Sequence, residues 1–201
     1  MRGFLIIGNE AVTEPFNLSD LPGAGRMDVL CRCVSQALFL SHSMRRDVEV
    51  YLLLLGKPNP PKVIKISSNE LRRMSPDERN IGGHIRKAVG FKISKDWVET
   101  NSGIFVAKKN IEELLDELSS SYTICYLRED GESIRNEIYS IKNPLFIVGD
   151  HIGVKKQEED IILYYAVKIL SVSKLSLMAE QCITIAHYEL DKHYHENFIS
   201  I

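Results

Sequence analysis

Leu145-Phe146-Ile147-Val148-Gly149-Asp150-His151-Ile152-Gly153 is the stretch on which the fold turns. Its four apolar residues read as a strand, and the glycine-bearing segment after them as a loop leaving that strand's carboxyl end. Alone the loop says little, since Gly149 and Gly153 suit any tight turn and Asp150 suits a cap for the next segment. Its surroundings give it meaning. Before it come a strand at Tyr122–Leu127 and a helix near Ser133–Tyr139; after it come a helix near Gln157–Tyr165, a strand at Ala166–Leu170 and a long helix over Ser176–Lys192. Strands alternating with helices predict an α/β fold with a largely parallel sheet.

The amino-terminal half continues the pattern. Phe4–Ile7 reads as a buried strand, Pro22-Gly23-Ala24-Gly25 as a loop, and Val29, Leu30, Val34, Ala37, Leu38 and Phe39 as one face of a helix starting near Arg26. Val48–Leu55 and Val63–Ile66 flank a rigid proline loop and read as neighbouring strands. Ser75-Pro76-Asp77-Glu78 predicts a helix capped by Ser75 and running to about Ala88. Trp97–Val106, broken at Asn101-Ser102-Gly103, predicts a small hairpin, and Ile111–Leu118 another helix.

Composition bounds the answer. A hydrophobic share of 44% against 26% charged residues belongs to a chain that folds throughout, and 201 residues make one domain with a sizeable core. The start, Met1-Arg2-Gly3-Phe4, has too short an apolar run for a signal peptide, and no stretch reaches membrane-spanning length, so the expected location is cytoplasmic. Cys31, Cys33, Cys125 and Cys182 form no metal-binding pair and no disulfide framework. His187, His193 and His195 lack helical metal-ligand spacing; they read as mobile histidines near a terminus, and no metal is expected.

The formal net charge of −2 does not advertise a nucleic-acid partner, but its distribution is uneven. Residues 1–100 carry a net +4 and residues 101–201 a net −6, which puts any RNA-facing patch in the first half.

In open α/β sheets, ligands sit at loops leaving the carboxyl ends of strands. Three loops qualify: Tyr126-Leu127-Arg128-Glu129-Asp130-Gly131, the Gly149 loop, and Leu170-Ser171-Val172-Ser173-Lys174-Leu175. None matches a dinucleotide or phosphate-loop fingerprint, and calorimetry with a nicotinamide dinucleotide would separate an oxidoreductase from the reading below.

These loops in this order, with Gly25-Arg26-Met27-Asp28-Val29-Leu30-Cys31-Arg32, Ser75-Pro76-Asp77-Glu78-Arg79-Asn80 and Cys182, resemble the archaeal tRNA (pseudouridine-54 N1)-methyltransferase family of the SPOUT superfamily. The resemblance covers almost the whole chain. It implies a single SPOUT-type methyltransferase domain over residues 1–201, with RNA-facing elements mainly in 1–100 and a carboxyl-terminal trefoil knot at about 120–201 that binds the cofactor. It also implies S-adenosylmethionine as cofactor, tRNA as substrate and a homodimer.

By the same resemblance, Leu127, Gly149, Leu170, Ser171, Val172, Ser173, Lys174, Leu175 and Cys182 surround the cofactor, and Arg26, Arg32 and Arg79 meet RNA. Cys182 also lies on an apolar helix stripe with Met178, Ala179, Ile185 and Ala186, where a thiol acts as a small hydrophobe. In pseudouridine, N1 carries a proton and no sugar, so it can attack a sulfonium methyl once polarised. The implied assignment makes Asp28 the group that orients Arg26 or takes the N1 proton, and lets Arg26 or Arg79 touch the base. Asp77 is a second acid/base candidate, though a first-turn helix acid is its simpler reading. Competing functions are methylation of pseudouridine in ribosomal RNA and a catalytically silent role in binding RNA or sensing S-adenosylmethionine.

Overall fold

The computed structural model describes the backbone of residues 1–198 and the side chains of residues 1–192; His193 and His195 lie outside the described side chains. The strands form one sheet in the order β4-β5-β3-β2-β1-β7-β6-β8. Its centre is β1 (Arg2–Gly8), buried at every residue because both faces of the sheet are covered. Phe4 and Ile6 pack with residues of α1 (Met27–Leu38), α2 (Glu78–Val89) and α6 (Ala179–Phe198). Leu5 and Ile7 point the other way, towards α3 (Ile111–Ser119) and α5 (Lys156–Tyr165).

The expected parallel sheet holds for half the molecule. β2 (Val48–Leu54), β1, β7 (Pro144–Gly149), β6 (Thr123–Ser133) and β8 (Lys168–Ser171) run parallel. Beyond β2 the sheet turns antiparallel, through β3 (Lys62–Ser67), β5 (Ile104–Ala107) and β4 (Val98–Asn101), so the sheet as a whole is mixed. The cause is loop length: the proline loop between β2 and β3 is too short for the crossover that a parallel partner needs. The hairpin expected around Asn101-Ser102-Gly103 is β4–β5, with Gly103 at φ 73° in its turn.

Several boundaries differ from the sequence pattern; β8 starts at Lys168 rather than Ala166 and α6 at Ala179 rather than Ser176. α2 is capped by Asp77, whose carboxylate accepts the Asn80 amide, while Ser75 donates its hydroxyl to that carboxylate. The stronger acceptor at a helix amino terminus has displaced the hydroxyl. The helix near Ser133–Tyr139 is a single turn, α4 (Ile134–Glu137), followed by a 3-10 turn at Ile138–Ser140. β6 runs past Leu127 to Ser133, because Glu132 and Ser133 resume pairing with β8 after a bulge.

α6 is anchored through a residue that the sequence pattern marks as mobile. His187 is only 3% exposed, and its ring edges against Phe4. Arg2 can only donate to Nδ1, so the imidazole is neutral and Nε2 donates to the Ala37 carbonyl at 2.9 Å. Burial holds its pKa at about 3, with Arg45 and Arg2 lowering it further.

Candidate active site

The carboxyl ends of β6, β7 and β8 open into one cavity of about 590 Å³, walled by their loops, by the start of α6 and by Arg26, Val29 and Arg32. That volume suits a ligand of nucleoside size. No helix among the described residues is long and apolar enough to cross a membrane. No group of three or more His, Cys, Asp or Glu side chains among them could hold a metal ion.

The Gly149 loop is rigid for a countable reason. Asp150 is 7% exposed and accepts the Asn9 backbone amide at 2.7 Å, the Asn9 side-chain amide at 2.8 Å and the Ile152 amide at 2.9 Å. Asn9 also donates to the Gly153 carbonyl at 2.8 Å, which locks the loop to the segment after β1. A Cβ on Gly149 would sit 2.2 Å from the Gly153 carbonyl carbon, and Gly153 itself adopts φ 85°. The turn therefore closes only with glycine at both ends.

The other two loops brace each other. Arg128 grips Asp130 through two bonds of 2.9 and 2.6 Å and lies 5.9 Å from the Tyr126 ring centre. Lys174 donates to the Glu129 and Gly131 carbonyls at 3.2 and 3.3 Å, tying the loop after β8 to the long end of β6. Ser173 closes its own turn by accepting the Leu175 amide.

At the cavity's other wall, charges alternate along α1 and α6. Arg26 binds Asp28 through Nε and Nη2 at 3.0 and 3.1 Å, and Arg32 binds Asp28 at 3.0 Å and Glu180 at 2.9 Å. Although burial opposes it, the two guanidinium groups hold the Asp28 carboxyl below the usual carboxylate range. Arg26 itself takes the left-handed conformation, φ 62° and ψ 38°, directly after Gly25 at φ 70°. For a non-glycine residue this costs about 1–2 kcal/mol. The strain turns the chain into α1 and sets the Arg26 side chain at the cavity, with Nη1 left without an acceptor among the described residues.

The sequence-derived residues divide clearly. Arg26, Arg32, Leu127, Gly149, Val172, Ser173, Leu175 and Cys182 line the cavity. Leu170 is fully buried in β8, Ser171 at its end is 6% exposed, Lys174 acts as the brace, and Asp28 stands behind the two arginines. Arg79 lies elsewhere, in a groove on α2 with Asp77, Asn80, Gly83, His84, Lys87 and Asn101. Burial pushes the Cys182 thiol up to about 11, so it stays protonated, while its side chain also packs on the core. Sequence reasoning missed Asn9, Glu180 and Glu159, which lines the cavity and accepts the Tyr126 hydroxyl at 3.2 Å. Of these, only Glu180 had a signal, an acid at the start of the last helix.

Fold and site together define an α/β protein with a nucleoside-sized cavity where its parallel strands end, the place at which such sheets take their ligands. Residues 1–195 match the family described as "Putative SAM-dependent RNA methyltransferase", and the chain belongs to that family. Among its relatives is the tRNA (pseudouridine(54)-N(1))-methyltransferase of Methanosarcina acetivorans, 48% identical over 96% of this chain and 92% of the relative. The protein of the same name from Methanocaldococcus jannaschii is 45% identical over 96% and 97%. The fold is also similar to that of Archaeoglobus fulgidus Nep1 bound to S-adenosylhomocysteine, with a TM-score of 0.68 at 13% identity over 96% of this chain and 99% of that one.

Proposed function

We propose that this chain transfers a methyl group from S-adenosylmethionine to N1 of pseudouridine 54 in the T-loop of tRNA. The observation that carries the reading is the single cavity shared by three strand-end loops and the Arg26–Asp28–Arg32–Glu180 chain, in a protein whose relatives along nearly its whole length bear that activity's name.

The cavity fits the donor. Its glycine turn gives close access to backbone, its apolar wall includes Leu127, Val172, Leu175 and Met178, and Glu180 Oε2 is a buried acceptor with no partner among the described residues. An orphan carboxylate oxygen suits a ligand carrying a cationic centre and an amino group. Leu127, Gly149, the segment Leu170–Leu175 and Cys182 would hold it, with Leu170, Ser171 and Lys174 contributing through the backbone or by bracing. When bound, S-adenosylmethionine supplies an electrophilic methyl on a sulfonium.

The protein's own share is placement and charge. Arg26 presents Nη1 to a base carbonyl and stabilises negative charge on the ring as N1 passes its proton to solvent water at the open side of the cavity. Asp28 fixes Arg26 and Arg32; its ion pairs make it a poor proton acceptor, so orientation is its role. Asp77 is spent as the cap of α2 and lines no part of the cavity. Arg32 lines the entrance and meets RNA there.

The same reading makes residues 1–201 one methyltransferase unit, with its carboxyl-terminal part, about 120–201, knotted around the cofactor, acting in the cytoplasm as a homodimer. On this reading the partner would cover exposed apolar side chains such as Tyr188 of α6, which is 57% exposed. The direct test is calorimetry with S-adenosylmethionine followed by tRNA methylation. Arg26→Ala should bind donor within about threefold of the parent and lose at least about 100-fold in turnover. Parental turnover would overturn the role of Arg26.

A further inference from the structure

The chain has eleven arginines. Seven are anchored in the fold: Arg2, Arg26, Arg32, Arg45, Arg128 and Arg135 in ion pairs, and Arg46 on two backbone carbonyls. The other four, Arg72, Arg73, Arg79 and Arg86, are exposed, and among the described residues no hydrogen bond or ion pair engages their side chains. All four lie on α2 or the segment leading into it. Exposed Lys87 joins them. Guanidinium groups gathered on one helix without an ion-pair partner repel one another and raise the energy of the free protein, a cost that an anionic partner removes.

The shape of α2 points the same way. A groove of about 540 Å³ runs along it between Arg79, Gly83, His84, Lys87 and Asn101, with the capping Asp77 at its amino-terminal end as the one acid among the described residues that line it. Two adjacent glycines interrupt the helix, each costing about 1 kcal/mol relative to alanine. Gly82 has an internal reason, since a Cβ there would press to 2.9 Å against Leu21. Gly83 has none: its Cβ would meet only Leu18, at 4.0 Å. A glycine that packing does not require, on the floor of a basic groove, leaves room for another molecule's backbone.

We infer that the α2 groove seats the sugar-phosphate backbone of the RNA substrate, apart from the methyl-donor cavity, with Arg79 and Lys87 on phosphates in the groove, exposed Arg86 of the same helix reaching a phosphate outside its lining, and Gly83 giving close approach. The inference rests on the methyltransferase reading and adds where the substrate docks. The two places are mechanically joined, because Arg32 of the cavity wall also reaches Glu78 in the first turn of α2 at 3.6 Å. RNA held on α2 is thereby placed beside the cavity entrance.

The test measures binding of the full chain to tRNA by fluorescence anisotropy across a salt series, with donor affinity measured in parallel. Arg79→Ala and Arg86→Ala should each weaken tRNA binding about threefold to tenfold and lower the slope of log affinity against log salt by about 1. Gly83→Ala should raise the thermal midpoint yet weaken tRNA binding, a pairing that a purely structural glycine would not give. Donor affinity should not change in any of them. If the parent binds tRNA and the three variants match it in affinity and slope, the groove assignment is wrong while the methyltransferase reading stands. If the parent neither binds nor methylates tRNA, both fall.

Discussion

Arg26 stands in a backbone conformation that costs energy, and its guanidinium is held by a carboxylate that a second arginine shares. Such strain persists where the surroundings over-determine it, here through Gly25, the turn before α1 and Asp28. Asp28→Asn should therefore loosen both arginines. We expect a fall of about 1–2 kcal/mol in stability and of about tenfold to 100-fold in methylation, with donor affinity kept within a few fold; equal activity of parent and variant would show that the clamp has no catalytic role. His187 gives a second prediction. The unfolded chain takes up its proton near pH 6.5 and the folded one only near 3, so in that window the unfolded state binds the extra proton. Stability then falls with acidification by about 1.4 kcal/mol per pH unit from this group alone. Thermal midpoints from pH 7 to 5 should drop steeply in the parent and more gently in His187→Gln; parallel curves would contradict it. At this scale the sequence showed Asp28 and Arg26 inside one motif but hid the pairings of Asn9 and Glu180, because their partners Asp150 and Arg32 lie 141 and 148 residues away.

Elements were more legible than single contacts, and for a physical reason. Hydrophobic periodicity reports local conformation, which is why α1, α3, β1 and β7 fall where the pattern puts them. Strand order is non-local. Nothing in the run Leu145–Val148 says that β7 inserts between β1 and β6, or that the sheet reverses direction beyond β2. The loop after β7 was readable as a candidate site because it leaves a strand's carboxyl end, and as a cofactor loop only through the family resemblance. Its rigidity yields a third prediction. Gly149→Ala forces its new methyl onto Gly153, so the loop must open. Donor affinity should fall at least about tenfold, or about 1.4 kcal/mol, by calorimetry, with the helical signal retained. Unchanged affinity would place the donor elsewhere.

Across the whole molecule, the two halves of the chain, opposite in net charge, contribute different surfaces. The amino-terminal half, at net +4, contributes the basic α2 groove and the Arg26–Arg32 wall; the carboxyl-terminal half, at net −6, contributes the strand-end loops that enclose the cavity. If the chain works as a dimer through its exposed α6 face, Tyr188→Glu should yield a monomer in sedimentation and reduced methylation, whereas an unchanged dimer would move the interface. The central claim is that the cavity aims a methyl group at one nitrogen of one RNA base. Its most direct measurement is mass spectrometry of tRNA treated with the protein and methyl-labelled S-adenosylmethionine. The substrate is one tRNA prepared with pseudouridine or with uridine at position 54. The account predicts label on N1 of pseudouridine 54 in the first and none in the second; label at another position, or none in either although the donor binds, would contradict it.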